Sequence, residues 1–491
     1  MSTIKLSGMV SGLDTDTIIK QLMQVERSPL NKLEQQKQKI AWKRDDYREM
    51  NTMLTSIQSL ANQMRFSSSF TKQTATSSDT SIVSASSSSA ATSGGYSIKV
   101  DKLASSALVA GSNVAIDPKT KVGVDGSFEI VGPKGTKTIT VTADSTYDSV
   151  LKQVNASGTG VTMSYDSING RFMIGTNATG ASASLEIKDT SGIASSAFGL
   201  STPAAVKGSN ATIQLNGQSM DFENNAFEFN GVRFDIKGVS TSAVSVTVAQ
   251  DTTAIVDQIK SFVNQYNTLV DTVKSKTTSV PSRSYAPLTD EQKESMTESQ
   301  IELWEKKAKV GLLYKDDILT SALSSLRSVL MNKVSGLPSE MDSLSDIGIT
   351  FKAYSGGNTN DLGKLSLDEA KLKDAVTSNP DGVMNLFTRT SNLDPKDANY
   401  QNETGYGDRL YSTLSTHINK IIKRIGTSTV SDAVDSSQLG KEIRTINDSM
   451  STLKTRLQAI EDRYYKQFTA MELALQKLNS KGSWITSQLG S

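Results

Sequence analysis

The chain has 491 residues, which at about 150 residues per domain predicts roughly three domains. Its 52 Lys and Arg residues and 51 Asp and Glu residues leave a formal net charge of +1, which excludes binding to nucleic acid or anionic lipid through bulk charge. Cysteine is absent and histidine occurs once, which excludes disulfides, thiolate nucleophiles, cysteine-based metal sites and any site that needs two histidines.

The first predicted helical region runs from Asp14 to about Met64, with apolar residues at steps of three and four. Asp14 or Asp16 is expected to cap its first turn. Pro29 lacks a backbone donor and disfavours helix at the preceding residue, so we expect a break or kink there and a second helix after it. The apolar stripe consists of Ile18, Ile19, Leu22, Met23, Val25, Leu30, Leu33, Ile40, Tyr47, Met50, Leu54, Ile57, Leu60 and Met64.

A β-rich region is predicted next. Serine, threonine and alanine dominate residues 67–93, which form either a linker or a solvated edge strand. From Tyr96 to about Val248 the apolar period is two, which is typical of half-buried strands. One helix, Tyr147 to Val154, is predicted within this region, with Ser145 as its cap. Tight hairpin turns are predicted at three Asn-Gly pairs, residues 169–170, 216–217 and 230–231.

The helical period returns at Asp251. The elements predicted after it are helices at 251–273, 301–313 and 318–329, a hairpin of 348–351 with 364–367, and helices at 368–376, 380–387 and 410–425. In the last helix, apolar residues from Ile446 to Leu478 follow the coiled-coil spacing. At about 1.5 Å per residue it would be roughly 50 Å long, so we expect it to pack along the N-terminal helices. The fold class is therefore α+β multidomain, with paired terminal helices flanking β-rich inserted head domains.

The apolar seam of the terminal helices is the candidate functional feature. Either it closes an ordinary intramolecular helical hairpin, or the same helices also assemble between chains. The length of the seam favours the second interpretation, because each fully buried Leu, Ile or Phe side chain is worth about 1.5–3 kcal/mol. The predicted assembly seam consists of Ile19, Leu22, Leu30, Leu33, Leu453, Leu457, Ile460, Tyr464, Phe468, Met471, Leu475 and Leu478.

No catalytic, cofactor-binding or metal site is predicted. His417 has no second imidazole or thiol with which to share a metal, so we expect a polar surface or boundary residue. Asp14 and Asp16 lack the spaced carboxylates and glycine of a calcium loop, which favours helix capping. Glycines at 123, 126, 132 and 135 are not followed by the Gly-Lys-Ser/Thr of a phosphate loop and are expected in turns. Adjacent carboxylates such as Glu461 and Asp462 diverge on a helix, so we expect no enzyme.

Targeting signals are also not predicted. Residues Met1–Val10 contain one lysine and no apolar run, unlike a secretory signal peptide. The sequence contains no run of about 18 apolar residues, the length needed for a membrane span. We therefore expect a chain that stays in the cytosol or is exported by a route without a cleaved signal.

Short segments along nearly the whole chain carry a family resemblance. They are Ser11-Gly12-Leu13-Asp14-Thr15-Asp16, Gly95-Tyr96-Ser97-Ile98-Lys99-Val100, Phe262-Val263-Asn264-Gln265-Tyr266-Asn267, Gly311-Leu312-Leu313, Ile347-Gly348-Ile349, Leu365-Ser366-Leu367-Asp368 and Arg463-Tyr464-Tyr465-Lys466-Gln467-Phe468-Thr469-Ala470-Met471-Glu472. Together they resemble the flagellar hook-associated protein 2 family, the FliD filament caps.

The resemblance implies a cap at the distal tip of the flagellar filament, outside the cell, where exported flagellin is retained and helped to polymerise without covalent catalysis. It implies export by the flagellar type III route and no cofactor. The implied partners are further copies of the chain in a ring, a pentamer on the filament, together with flagellin, hook-filament junction proteins and a flagellar export chaperone. Neither nucleic acid nor membrane insertion is implied.

The resemblance also implies four domains. They are a terminal helical leg of residues 1–44 with 430–491, a mainly helical domain of 45–72 with 251–429, a β-rich head domain of 73–112 with 206–250, and an outer β-rich head domain of 113–205. The insertion Tyr285–Lys309 has no role assigned by the resemblance. Two alternatives stay open: a flagellar junction or filament subunit, which would form long helical polymers, and a surface adhesin, which would bind glycans through residues 73–250.

Overall fold

The computed structural model describes residue 12 and residues 14–88, 90–202, 204–353, 361–394, 396–427 and 434–490. The segment Met1–Val10, residues Ser11 and Leu13 of the opening motif, and the first residues of the predicted 430–491 segment lie outside these ranges. By their contacts the residues divide into two compact units, 1–70 with 252–491 and 71–251. We call them the helical unit and the β unit.

Helices and strands are numbered in chain order. The α-helices are α1 (Thr15–Gln63), α2 (Tyr147–Asn155), α3 (Ile193–Phe198), α4 (Thr252–Thr278), α5 (Asp290–Glu294), α6 (Glu298–Ala308), α7 (Asp317–Met331), α8 (Glu369–Ser378), α9 (Pro380–Thr388), α10 (Tyr400–Glu403), α11 (Tyr406–Ile425) and α12 (Gln438–Leu489). The strands are β1 (Gln73–Ser77), β2 (Val83–Ser87), β3 (Gly94–Lys102), β4 (Leu108–Asn113), β5 (Gly126–Gly132), β6 (Gly135–Val141), β7 (Val161–Asp166), β8 (Arg171–Thr176), β9 (Ser184–Lys188), β10 (Val206–Lys207), β11 (Ala211–Leu215), β12 (Gln218–Phe222), β13 (Ala226–Phe229), β14 (Val232–Ile236), β15 (Val244–Gln250), β16 (Ile349–Phe351) and β17 (Leu365–Leu367).

The helical unit is built around α1, which packs along α4, α11 and α12. Side chains from α1, α4, α7, α8, α9 and α11 share one buried cluster, which we call the core cluster. Its members include Tyr47, Met50, Leu54, Ile57, Ile259, Phe262, Tyr266, Leu319, Leu326, Leu372, Leu386, Leu410, Leu414 and Ile421. The hairpin of β16 with β17 adds Ile349 and Leu365 to the same cluster.

The first helix corrects one prediction. We expected a break or kink at Pro29 with a second helix after it, but α1 is a single helix of 49 residues that contains this proline. A proline inside a helix removes one backbone hydrogen bond. Buried residues on both sides of it, Met23 and Leu30, pack against α12, and this packing holds the helix through the proline.

In the described part of the β unit, four antiparallel sheets surround two buried clusters. The five-stranded sheet β1-β15-β3-β11-β12 and the three-stranded sheet β13-β14-β2 contribute to one cluster, which includes Ile98, Val246 and Phe234. The sheets β10-β9-β5-β6 and β4-β8-β7 form the other with α2 and α3, around Phe128 and Phe172. Inward-facing residues alternate along these strands, as the period of two predicts.

The local predictions for the β unit, an edge strand, tight turns and a helix cap, are partly confirmed. Of the two interpretations of the serine-rich tract, the edge strand is confirmed, because β1 and β2 each lie at the edge of a sheet. The turns at Asn216-Gly217 and Asn230-Gly231 are confirmed: both residues of each pair have positive φ. At the third pair only Gly170 has positive φ, and a four-residue connection, 167–170, joins β7 to β8. The predicted cap of α2 is wrong, since Thr146 and not Ser145 accepts the hydrogen bond from Ser149 N.

Candidate functional site

The two terminal helices pack against each other through a small apolar cluster, which we call the leg cluster. Ile19, Met23 and Leu30 of α1 are buried in it. They meet side chains of α12, of which Met450, Leu457 and Ile460 are buried and Ile446, Leu453, Tyr464, Tyr465 and Phe468 are partly buried. Because these positions recur at helical spacing on both elements, the leg cluster is a two-helix coiled-coil seam.

Polar contacts fix the antiparallel register of the two helices. Tyr464 Oη donates to Glu26 Oε1 at 3.2 Å, and Tyr465 Oη donates to Asp16 Oδ1 at 3.0 Å. Asp14 caps α1, accepting from Thr17 N at 3.0 Å, and its hydrogen bonds from Thr17 lower the pKa of the carboxyl. Of the two expected caps, Asp14 therefore caps the start of α1, whereas Asp16 accepts a hydrogen bond from Tyr465 of α12.

The residues of the predicted assembly seam fall into three groups. Ile19, Leu30, Leu457 and Ile460 are buried in the leg cluster, and Leu33, Leu453, Tyr464 and Phe468 pack at its margin. Met471 and Leu475 are half-buried farther along α12. Leu22 and Leu478 are 39% and 64% exposed, so the contacts within one chain do not cover them.

The far end of α12 carries an exposed apolar surface. Beyond Tyr465, whose partner Asp16 stands in the first turn of α1, the helix continues to Leu489. In this stretch Leu473, Leu478, Trp484 and Ile485 are between 46% and 64% exposed. Large apolar side chains that stay in contact with water on a well-formed helix mark a surface suited to binding another protein.

His417 lies in a different environment from the one predicted. We expected a surface or boundary residue, but the side chain is only 4% exposed on α11. Its Nδ1 has no hydrogen-bond partner among the described residues. Burial, and then the charge of Lys420, lower the pKa of the imidazole, so the folded protein holds it neutral at pH 7.

This burial predicts a pH dependence of stability. The pKa of His417 is lower in the folded than in the unfolded chain, so the contribution of His417 to the free energy of unfolding is greatest above about pH 6.5 and falls as pH decreases through that value. The slope has an upper limit of about 1.4 kcal/mol per pH unit for one proton. Urea unfolding at pH 7, 6 and 5.5 measures it. As the chain has a single histidine, His417→Gln is expected to flatten the profile over this range; an equal slope in the variant would refute the assignment.

Metal and membrane sites were not expected from the sequence. Among the residues that the structure describes, no group of three or more His, Asp or Glu side chains is arranged to hold a metal ion. None of the described helices combines the length and hydropathy needed to span a bilayer.

Both ends of the chain match models of one protein family. The model described as Flagellar hook-associated protein 2 N-terminus matches residues 11–107, and the corresponding C-terminus model matches residues 208–480. The chain belongs to the flagellar hook-associated protein 2 family. The resemblance inferred from short motifs is thereby confirmed, and the two matched ranges include α1 and most of α12.

Relatives and solved structures agree with this membership. The flagellar hook-associated protein 2 of Halalkalibacterium halodurans is 29% identical, with 97% of this chain and 98% of the relative covered. The flagellar hook-associated protein 2 of Escherichia coli K12 is 27% identical, with 99% of this chain and 98% of the relative covered. The crystal structure of the D1-D2-D3 domains of the Escherichia coli flagellar cap protein FliD has a TM-score of 0.53 at 23% identity, covering 82% of this chain and 99% of that one. The predicted fold class, helical ends flanking β-rich insertions, is confirmed.

The structure adds residues to the site that the assembly seam omitted. Met23 and Met450 are buried in the leg cluster, and both lie on the apolar stripes that the sequence displays. The spacing therefore contained the signal for them. Tyr465 is different: its hydroxyl binds across the helix pair to Asp16, and no periodic pattern in the sequence indicates that contact.

Proposed function

We propose that this member of the flagellar cap family sits at the distal tip of the filament, retains exported flagellin and promotes its polymerisation. Its role is structural, without covalent catalysis. The observation that carries the proposal is the family match at both ends of the chain, which includes the helix pair of the leg cluster. His417, the single histidine of the sequence, is buried on α11 and therefore offers no exposed imidazole for a competing catalytic role.

The leg helices are the proposed assembly element. The leg cluster joins α1 to α12 within one chain, whereas Leu22 and Leu478 of the predicted seam remain exposed. Burying each such side chain against a neighbour is worth about 1.5–3 kcal/mol if burial is complete. We therefore assign the buried part of the seam to the fold of the leg and the exposed part to contacts between chains on the filament.

The partners and the location follow from this role. The chain forms a ring of copies, a pentamer on the filament, that contacts flagellin and follows the hook-filament junction proteins in assembly. It reaches the tip from inside the cell by the flagellar type III route, with an export chaperone bound beforehand to α12. The exposed apolar end of α12, around Trp484, is the surface that such a chaperone would shield.

Four domains are proposed within the two units. The leg cluster supports a leg of 1–44 with 430–491, and the core cluster supports a helical domain of 45–72 with 251–429, although Leu439 of α12 joins the core cluster. The two clusters of the β unit support a head domain of 73–112 with 206–250 and an outer domain of 113–205. Ala107 and Val109 pack in the outer cluster, which suggests a boundary a few residues earlier.

The test is restoration of filament growth. Purified chain is added to cells of the source species that lack their cap protein and leak flagellin, and filaments are scored by electron microscopy, with buffer alone as the control. Regrowth of filaments is expected. Continued leakage in the presence of folded protein would overturn the proposal, and long helical polymers of the purified chain would favour a junction or filament subunit.

A further inference from the structure

Residues 281–310, which we call the strap, form a self-locked pair of short helices. Both α5 and α6 begin with a capping box, in which the side chains of Thr289 and Gln292, and of Thr297 and Gln300, exchange hydrogen bonds with each other's backbone. Trp304 Nε1 donates to Ala286 O at 2.8 Å. The strap therefore has a defined shape despite its polar sequence and two prolines.

The two ends of the strap lie against each other. Gly311 has a φ of +78°, and a Cβ atom added to it would lie 2.4 Å from Pro281 N. Lys315 N donates to Thr277 O at 2.8 Å, and this hydrogen bond joins the chain segments on either side of the strap at its base. Removing the strap and joining its ends would consequently leave the helices on either side of it in place.

The strap holds α1 at several points. Gln35 Nε2 donates to Pro287 O at 2.9 Å, and Lys309 Nζ lies 5.0 Å from the centre of the Trp42 ring. Arg27 and Glu291 form a further pair at 3.5 Å, but both side chains are about half exposed and such pairs contribute little. The two stronger contacts lie two turns apart on the same helix.

These contacts fall where α1 passes from one cluster to the other. The leg cluster uses α1 as far as Leu33, and the fully buried members of the core cluster begin at Tyr47. Trp42 is buried between them, yet it is a member of neither cluster. Ile443 of α12 is likewise buried and belongs to neither cluster. The leg cluster and the core cluster are therefore separate along α1, and this stretch of the helix joins them.

A cleft separates the strap from the second leg helix. It has a volume of about 380 Å³ and lies between Thr289 and Glu291 of the strap and Leu457 and Glu461 of α12. The direct contacts of the strap described above are all with α1. The strap therefore positions α1 by direct contact, and it positions α12 only indirectly, through the packing of the leg cluster.

We propose that the strap is a brace that fixes the angle between the leg and the helical core by holding α1 between Glu34 and Lys43. The two stronger contacts, the burial of Trp42 outside both clusters and the closed base of the strap each contribute to this assignment. The proposal concerns the geometry of the single chain and does not depend on capping activity.

The leg angle can be measured directly with spin labels. The chain has no cysteine, so Thr416→Cys on α11 and Thr455→Cys on α12, both exposed, give one labelled pair between core and leg. In the full chain we expect a single narrow distance distribution by pulsed electron paramagnetic resonance. Deleting residues 282–310 and joining the ends by two glycines is expected to broaden it or add a second population. An unchanged distribution would overturn the proposal.

A milder pair of substitutions tests the proposal even if the deletion variant does not fold. Gln35→Ala with Lys309→Ala removes the two stronger contacts, and amide exchange in residues 34–43 is expected to become about tenfold faster. The control, Gln36→Ala with Lys306→Ala, changes the same residue types at exposed positions and is expected to leave exchange unchanged. Equal exchange in both pairs would refute the brace.

Discussion

Leu457→Asp combined with Phe468→Asp is expected to abolish filament regrowth in the restoration assay. Leu457 is 8% exposed in the leg cluster, and Phe468 packs at its margin. Each aspartate would place a charge in apolar surroundings without a partner, a change that costs several kcal/mol even after partial relaxation. The substitutions also remove the burial of two apolar side chains between the leg helices, which contributes a few kcal/mol in total. We expect the helix pair to separate while the core cluster stays folded.

The same variant should leave the β unit intact, since residues 71–251 have their own buried clusters. Limited proteolysis is expected to cut α1 and α12 readily and to spare this unit. A matched control is Ala459→Asp with Ala474→Asp, which adds the same two charges to exposed positions of α12. Normal filaments from Leu457→Asp with Phe468→Asp would refute the role of the leg cluster in assembly. Loss of filaments with the control variant would instead indicate that the exposed face of α12 makes the contacts between chains.

Long-range periodicity makes the leg predictable. A stripe with steps of three and four marks the buried face of a helix whatever it packs against, so the amino-acid sequence alone predicts that Ile19, Leu457 and Ile460 are buried. The same pattern does not tell how far a partner helix extends. Leu478 continues the stripe, yet it lies beyond the part of α12 that α1 accompanies, and it is exposed.

Features without a period are harder to predict. A lone histidine carries no pattern that separates a buried position from an exposed one, and the burial of His417 depends on helices distant in sequence. Within the strap, the helix predicted at 301–313 corresponds to α6, whereas the contact of Trp304 with the Ala286 carbonyl follows no period in the sequence. The continuity of α1 through Pro29 likewise depends on contacts distant in sequence, because packing against α12 outweighs the tendency of proline to end a helix.

Arg409→Met is expected to destabilise the helical unit strongly. Arg409 is 2% exposed, and burial lowers the pKa of its guanidinium. It donates to four main-chain carbonyls, those of Asn332, Lys333, Asn402 and Thr404. These carbonyls come from the end of α7 and from the segment before α11, so one cation joins two parts of the fold at the negative end of a helix dipole.

The loss should be about 3–5 kcal/mol in the free energy of unfolding, because methionine fills much of the volume but removes the arginine donors of the Lys333 and Thr404 carbonyls. The other two carbonyls keep a donor, since Tyr406 Oη donates to Asn332 O and Ser335 N donates to Asn402 O. Urea unfolding followed by tryptophan fluorescence measures it, and this signal reports on the helical unit alone because Trp42, Trp304 and Trp484 all lie in that unit. Arg456→Met makes the same chemical change at an exposed site of α12 and is expected to alter stability by less than about 0.5 kcal/mol. Equal effects of the two substitutions would mean that the carbonyls find other donors, and that Arg409 does not hold α7 to α11.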